Sequence, residues 1–241
     1  FAYGSGYHVM FCQSNETYLR EVQAVQTLLS SRVDGILVSV AKVTRDFEHF
    51  RKIIDDRIPL VFFDRICDEI ETDRVIVDDE TGAYEAVKHL INTGCRNIIH
   101  LSGPPDLNIG RDRKNGYIKA LKDYNLPVLE ENIINCDTSG EAVKVIPGLL
   151  NRKNKPDGIF AVNDLTAAEA MKIVKQGGYK VPEDISIVGF TSGMISDITD
   201  PSLTSVEQHG YIIGEEAVKL LIGRIERKKE MPFQTKFIRT E

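Results

Sequence analysis

Short apolar runs alternate with amphipathic helical patterns along nearly the whole chain, and this alternation restricts the fold more than any other feature. One complete unit is easy to read. Ile159–Val162 is long enough for a buried strand and too short for a helix, Asn163 and Asp164 then open an Ala-rich helix, and a second strand follows at Ile185–Phe190. Repeated units of this kind predict a doubly wound α/β protein with parallel sheets.

The other predicted elements follow the same rhythm. We expect Asp79 to cap a helix that ends near Gly94, Asn15 or Glu16 to precede a helix to Ser31, and Ser139 to cap a helix to Leu150. A closing helix is predicted at Gly214–Lys228. The predicted strands are Tyr7–Cys12, Gly35–Val40, Pro59–Phe63, Val75–Val77, Asn97–Ser102, Asn132–Cys136, Asp157–Val162, Ile185–Phe190, Leu203–Gln208 and Pro232–Ile238.

Composition narrows the functional classes. The 241 residues are 42% hydrophobic, enough for one large domain or two lobes, and the net charge of −6 has the wrong sign for holding DNA through its phosphates. The four cysteines are scattered without a CxxC pair, which favours a reducing, cytoplasmic compartment. No apolar run approaches the roughly 18 residues of a membrane span.

Parallel sheets bind ligands just beyond the carboxyl ends of their strands. Asn163, Asp164 and Thr191 follow two predicted strands and are therefore candidate binding residues, and Asp64 follows a third. Asn and Asp are also preferred at helix starts, so we expect one of the first pair to cap the helix and the other to bind. For Asp64 an ion pair with adjacent Arg65 or with another hinge cation is the alternative.

The sequence contains none of the motifs that we looked for as signs of metal binding, phosphate binding or hydrolysis. The five histidines show no metal-ligand spacing, and neither a phosphate-binding glycine loop nor a GxSxG elbow is present, so we expect no metal, no cofactor and no catalysis. Asp78 and Asp79 are adjacent, and adjacent side chains of an extended backbone point to opposite faces, so the pair would not converge on one substrate unless the backbone turns there. A helix cap explains Asp79 better.

A series of motifs, each weak alone, occurs in a characteristic order. The series is Val33-Asp34-Gly35-Ile36-Leu37, Pro59-Leu-Val-Phe-Phe-Asp64-Arg65, Val77-Asp78-Asp79, Leu101-Ser-Gly103-Pro104, Arg113-Lys-Asn-Gly116-Tyr117, Asn163-Asp164, Val181-Pro-Glu-Asp184 and Asp200-Pro201-Ser-Leu203-Thr204. In this order they resemble the effector-binding domain of the lactose-repressor and galactose-repressor family of bacterial transcription regulators, which has the type I periplasmic sugar-binding fold.

The resemblance implies two similar doubly wound lobes joined by three hinge crossings. The first lobe would hold residues 1–77 and 209–230, and the second 78–208 and 231–241. It also implies that the family's first strand and its DNA-binding helix-turn-helix are not in this chain, so operator DNA would be bound by a segment outside these 241 residues. The family is dimeric, and we expect homodimer contacts on Glu16–Ser31, Arg45–Arg57 and the elements after Gly214.

The same resemblance suggests ligand contacts. The family's matching arginine would place Arg113 against ligand oxygens, with a solvated surface arginine as the alternative, and we expect Arg111 and Lys114 to be on the surface. Asp137 stands where related proteins have an aromatic or polar ligand contact, although its place after a predicted strand favours a simple turn residue. Thr191 stands where many sugar-responsive members have an aspartate, so the usual sugar geometry is in doubt.

The leading hypothesis is therefore an effector-sensing, dimerising domain of a cytoplasmic transcription regulator. A small effector, by family default a sugar or derivative, would bind between the lobes and change the affinity for DNA allosterically. A periplasmic sugar-binding protein of a transporter is the alternative.

Overall fold

The computed structural model describes residues 1–226 and 231–241, and its backbone divides into two compact units. The first comprises Phe1–Val77 and Gly210–Ile238, and the second comprises Asp78–His209 and Arg239–Glu241. The chain therefore passes from one unit to the other at three places. No helix among the described residues combines the length and apolar character that crossing a membrane requires.

Each unit is a parallel sheet covered by helices, as the alternating pattern predicts. The strands are β1 Ile36–Val38, β2 Leu60–Phe63, β3 Asp73–Val77, β4 Ile98–Ser102, β5 Ile133–Asn135, β6 Gly158–Ala161, β7 Ser186–Thr191, β8 Thr204–Glu207 and β9 Thr235–Ile238. The helices are α1 Tyr18–Ser30, α2 Glu48–Asp55, α3 Asp79–Asn92, α4 Asn108–Asp123, α5 Ser139–Leu150, α6 Asp164–Gln176, α7 Met194–Ile198 and α8 Gly210–Ile225.

The first unit has the strand order β1-β2-β3-β9, all parallel. Alternate residues along its strands pack into two different apolar clusters. Ile36 and Phe62 pack with Val25 of α1 and with α2, whereas Val61 packs with Leu221 of α8. Since successive strand residues point to opposite faces, α1 and α2 cover one face of this sheet and α8 covers the other.

The second unit has the strand order β5-β4-β6-β7-β8, again all parallel. Ile159 and Ile187 lie in a cluster with α5 and α6, and Phe160 and Val188 lie in a cluster with α3 and α4. The strands are therefore buried on both faces, which explains why they read as continuous apolar runs. A doubly wound α/β fold is confirmed.

Two predictions about the first unit need correction. The final strand, β9, pairs with β3 and belongs to the first unit, whereas residues 231–241 were expected in the second lobe; only Arg239–Glu241 lie there. His209 belongs to the second unit and not to the first. Of the residues 209–230 expected in the first lobe, 227–230 lie outside the described residues, as does the predicted end of the closing helix at Lys228.

Tyr7–Cys12, predicted as a strand, is neither strand nor helix. The run has the apolar composition of a strand, but none of the described strands lies beside it to share ladder hydrogen bonds. A strand needs such a partner because its backbone N–H and C=O groups cannot bond within the segment.

The predicted caps are shifted by one residue. Asp78, not Asp79, caps α3 by accepting the N–H of Thr81, and Thr138, not Ser139, caps α5 in a reciprocal capping box with Glu141. Neither Asn15 nor Glu16 caps α1, whose preceding residue is Thr17. Sequence patterns locate helix starts less well than helix existence, because several adjacent polar residues can each supply the capping oxygen.

Candidate functional site

Five of the six predicted binding residues come together at the carboxyl edge of the second sheet. Asp137 follows β5, Asn163 and Asp164 follow β6, Thr191 ends β7, and Arg113 reaches the same edge from α4. We call these five residues the carboxyl-edge cluster. The sixth, Asp64, follows β2 in the first unit and is not part of it.

Arg113 is almost fully buried, with 3% of its surface exposed. Its Nε and Nη2 atoms each lie 2.7 Å from Asp79 Oδ1, and Nη1 donates to the Val162 carbonyl at 2.5 Å. The guanidinium also lies 3.7 Å from the centre of the Phe190 ring. These contacts use three of the five N–H donors and orient the group rigidly.

The surface alternative for Arg113 is therefore wrong. α4 begins at Asn108, so Arg113 lies in its second turn. Asp79 supplies the compensating charge for the buried guanidinium within the same unit. Arg111 is exposed and pairs with Asp112 at 2.8 Å, as a surface residue would.

Asn163 and Asp164 both organise neighbouring loops. Asn163 caps α6 by accepting the N–H of Thr166 at 2.9 Å, and its amide nitrogen donates to the Asp137 carbonyl at 2.9 Å. That second bond links the segments after β6 and β5. The prediction that one residue of this pair caps the helix is confirmed.

The carboxylate of Asp164 is buried and ties β7 and its following turn to β8. One oxygen accepts the hydroxyl of Ser205 at 2.5 Å, and the other accepts the N–H of Gly193 at 3.1 Å. Gly189 passes so close to this carboxylate that a Cβ atom there would collide with it. The glycine is thus required by a close approach of side chain to strand.

Thr191 and Ser192 occupy unusual backbone conformations at the end of β7. Their φ angles are 133° and 54°, in the positive region that L-residues rarely adopt, and the N–H of Ser192 donates to Ser205 Oγ at 3.0 Å. Strained backbone of this kind often accompanies functional sites. Thr191 itself is exposed and can meet a ligand.

Asp137 precedes the capping box of α5. Its N–H donates to Glu141 Oε2 at 3.0 Å, beside the bonds that the same oxygen accepts from the N–H and hydroxyl of Thr138. These hydrogen bonds hold the pKa of the Glu141 carboxyl below its ordinary value, although its burial acts in the opposite direction. The backbone of the Asp137 loop is therefore fixed from both sides, by Glu141 and by Asn163.

Asp64 occupies the equivalent place after β2 in the first unit. Its φ angle is 59°, its N–H donates to Val75, and its carboxylate accepts the hydroxyl of Ser39 at 3.4 Å. The guanidinium of neighbouring Arg65 donates two hydrogen bonds of 3.0 and 2.8 Å to Glu16.

Three residues that contact the carboxyl-edge cluster were not predicted from the sequence: Asp79, Phe190 and Ser205. Asp79 was interpreted as a cap, and no sequence pattern indicates that Phe190 stacks on an arginine from another helix. Among the described residues, no group of three or more His, Cys, Asp or Glu side chains is arranged to hold a metal ion.

Comparison with known proteins identifies the family. The periplasmic binding protein-like domain matches residues 87–241. The ribose operon repressor of Halalkalibacterium halodurans is 33% identical over 92% of this chain and 65% of its own length. The HTH-type transcriptional repressor PurR of Vibrio campbellii is 30% identical over 95% of this chain and 69% of its own. The chain thus spans about two thirds of these relatives.

Solved structures agree. The transcription regulator CcpA of Lactococcus lactis superposes with a TM-score of 0.91 at 25% identity, covering 100% of this chain and 87% of that one. A transcriptional regulator CelR in complex with cellobiose gives 0.84 at 27% identity, over 93% and 69%. These relatives are regulators and not transport proteins, which decides against the transporter alternative. The chain belongs to the periplasmic binding protein-like domain family, in the LacI family of transcription regulators.

Proposed function

We propose that this chain is the effector-sensing domain of a cytoplasmic LacI-type repressor and that a small polyhydroxylated molecule binds at the carboxyl-edge cluster. The observation that supports this most strongly is the convergence of polar side chains from three strand ends and one helix on a single edge. In open parallel sheets this is the edge at which ligands bind.

The cluster divides into residues that shape the edge and residues that can reach a ligand. Asp164 and Asn163 are engaged by neighbouring loops and act mainly by holding them. Arg113 keeps two N–H donors beyond its contacts with Asp79 and Val162, and Thr191 exposes a hydroxyl. We propose direct contacts from Arg113, Thr191 and Asp137, and a further contribution from Asp64 in the first unit.

The relatives support the ligand class and the output. One is named a ribose operon repressor and another is a cellobiose complex, so a sugar or sugar derivative is the first class to test. We propose that no bond of the effector is broken and that its binding changes the affinity of the whole protein for operator DNA, which is bound by a helix-turn-helix outside these 241 residues. A coupling of about 1–3 kcal/mol would suffice.

We further propose that the protein acts as a homodimer. Tyr211 and Ile212 of α8 and Leu19 of α1 are large apolar side chains left 82%, 44% and 68% exposed. Because α1 and α8 cover opposite faces of the first sheet, these side chains belong to two separate candidate surfaces, and we propose the α8 surface with Tyr211 as the one to test first. Sedimentation equilibrium of the chain and of a Tyr211→Glu variant would measure it, and an unchanged monomer in both would refute this part.

Titration calorimetry with a panel of pentoses, hexoses and disaccharides tests the site. We expect at least one sugar to bind wild type and the control Arg111→Ala with equal affinity. Binding should weaken at least tenfold in Thr191→Tyr, which fills the edge, and in Arg113→Lys, which keeps the charge but loses the planar fork. Equal affinity in all four proteins would place the effector elsewhere.

A further inference from the structure

The second unit contains a cavity of about 520 Å³ at the edge of its sheet opposite the carboxyl-edge cluster. Asp157 lies just before β6, Ser186 begins β7 and Thr204 begins β8, and all three line the cavity. We call it the amino-edge cavity. It shares no residue with the carboxyl-edge cluster. Pockets that bind small molecules have volumes of about 300–1,000 Å³, so this cavity has the size of a ligand site.

Part of the amino-edge cavity is apolar. Its floor is formed by buried side chains, among them Leu90 of α3, Met171 of α6 and Val188 of β7. Val181 and Pro201, which are only half-buried, come from the loops before β7 and β8. An apolar group bound between these two loops would remove their exposed surface from water, which favours binding.

The charged groups of the lining are acidic. Asp157, Glu183 and Asp184 supply three carboxylates, and none of the described lining residues is a lysine or an arginine. The carboxylate of Asp157 accepts hydrogen bonds of 3.0, 2.8 and 2.8 Å from the backbone N–H groups of Arg96 and Asn97. These donors are neutral, so they orient the carboxylate without cancelling its charge.

Two cations lie just outside the lining, and both are engaged by other groups. The guanidinium of Arg96 donates to the carbonyls of Ile91 and Cys95, each at 2.8 Å. Lys175 donates to the carbonyl of Asp200 at 2.5 Å and lies 3.7 Å from its carboxylate. The acidic lining therefore keeps a negative potential that a cation from solution can meet.

Helix α3 ends at the same cavity. Leu90 lies in its last turn, and Thr93 and Gly94 follow its end at Asn92. The C-terminus of a helix carries a partial negative charge that stabilises cations. Exposed His89 also lines the cavity, and its neutral ring offers one nitrogen as an acceptor. The helix end and the carboxylates thus favour the same class of ligand.

We propose that the amino-edge cavity is a second ligand site and that it binds a small organic amine in its protonated form. The ammonium group would lie among the carboxylates and the end of α3, and the apolar body would pack against Val181 and Pro201. An organic cation fits better than a metal ion, because no cluster of ligating side chains suited to a metal occurs among the described residues. The site is independent of the effector proposed for the opposite edge.

Fluorescence anisotropy with three matched probes tests the charge. Tryptamine carries an ammonium group, tryptophol replaces it with a hydroxyl, and indoleacetate replaces it with a carboxylate. The chain contains no tryptophan, so the indole emission reports the probe alone. We expect tryptamine to bind saturably, tryptophol to bind about tenfold more weakly, and indoleacetate not to bind. Equal affinity for tryptamine and tryptophol would overturn the proposal.

Two pairs of variants test the place. Glu183→Gln removes an exposed carboxylate of the lining and should weaken tryptamine binding about threefold, whereas Glu131→Gln, an exposed residue away from the cavity, should not change it. Ser202→Tyr fills the cavity from the loop before β8 and should abolish binding. Its control is Val143→Tyr on the exposed face of α5. Circular dichroism checks that each variant folds.

Amide-resolved NMR spectra of the wild-type protein locate the probe without any substitution. We expect tryptamine to shift the amide signals at the beginnings of β6, β7 and β8. Shifts confined to the carboxyl-edge cluster would overturn the proposal, and so would binding that Ser202→Tyr leaves intact or a complete absence of binding. Equal effects of Glu183→Gln and Glu131→Gln would show attraction to the net charge of the protein and not to this cavity.

Discussion

Arg113 and Asp79 form a buried ion pair in which two guanidinium nitrogens lie 2.7 Å from one carboxylate oxygen, with both side chains at most 4% exposed. The pair joins the start of α3 to the second turn of α4, and the Phe190 ring lies beneath the guanidinium. It fixes the one cation of the carboxyl-edge cluster.

Asp79→Asn should destabilise the second unit by about 3–5 kcal/mol, because it leaves the buried Arg113 charge without its counter-ion. Urea denaturation followed by circular dichroism measures the free energy of unfolding. The matched control is Asp112→Asn, which removes the partner of exposed Arg111 and should cost less than about 1 kcal/mol. Equal effects of the two substitutions would contradict a structural role for the buried pair.

Gly189→Ala should destabilise the protein by about 1–3 kcal/mol, because its new methyl group collides with the Asp164 carboxylate and the packed strand cannot move aside freely. Gly140→Ala in α5, where the added Cβ meets no atom within 4 Å, should be neutral or slightly stabilising.

The cause of the Gly189 effect can be isolated with Asp164→Ala. If the collision is responsible, the double variant should be more stable than the sum of the two single changes predicts. Strict additivity in the thermodynamic cycle would assign the loss to another contact.

The stability of the protein should fall between about pH 6.5 and pH 4 because of His100. This side chain is fully buried between the rings of Tyr117 and Phe160, and desolvation lowers its pKa to about 4. Its Nδ1 contacts the Phe160 carbonyl at 3.1 Å, and Nε2 has no hydrogen-bond partner among the described residues. Between these two pH values His100 binds a proton in the unfolded chain but not in the folded chain. Its contribution to stability is therefore fully present above the pKa of the unfolded state, about 6.5, and is lost as the pH falls toward the pKa of the folded state, about 4.

The shift corresponds to about 3 kcal/mol over the full interval. Denaturation at successive pH values should give a shallower dependence in His100→Gln than in wild type, whereas the exposed His89→Gln should match wild type. Parallel curves for all three proteins would rule out His100 as the cause.

Glu141 should add a second loss of stability at lower pH. Its pKa is held down by the N–H groups of Asp137 and Thr138, against the effect of burial, so its contribution is present above the ordinary value of 4.5 and disappears as pH falls through the folded pKa. Glu141→Gln should remove this part of the acid dependence. Thr138→Ala, which breaks the capping box, should cost about 1 kcal/mol at pH 7, and a loss below about 0.3 kcal/mol would show that the box contributes little.

The fold could be predicted largely from local patterns. Runs such as Ile159–Val162 are apolar on both faces because helices cover both sides of a parallel sheet, and that burial leaves a continuous signature in the sequence. Tyr7–Cys12 has the same signature and forms no strand, because strand formation depends on a neighbour that composition cannot reveal.

The position of the site could be predicted from the sequence. The hydrogen bonds and ion pairs that hold its side chains could not. Topology alone brings Asp137, Asn163 and Thr191 to one edge, since parallel strands end on the same side. That Arg113 is buried against Asp79, and that Asp164 holds Gly193 and Ser205, depends on contacts between residues far apart in the chain. A sequence pattern carries no such distances.

The sequence by itself determined the α/β class, the order of the elements and the family, because hydrophobic periodicity and ordered motifs are properties of the chain read locally. Only the tertiary structure decided which unit receives β9 and which polar groups at the strand ends are already engaged within their own unit. Each of these depends on contacts between segments that are far apart in the sequence, and such contacts are stabilised by packing that exists only in the folded protein.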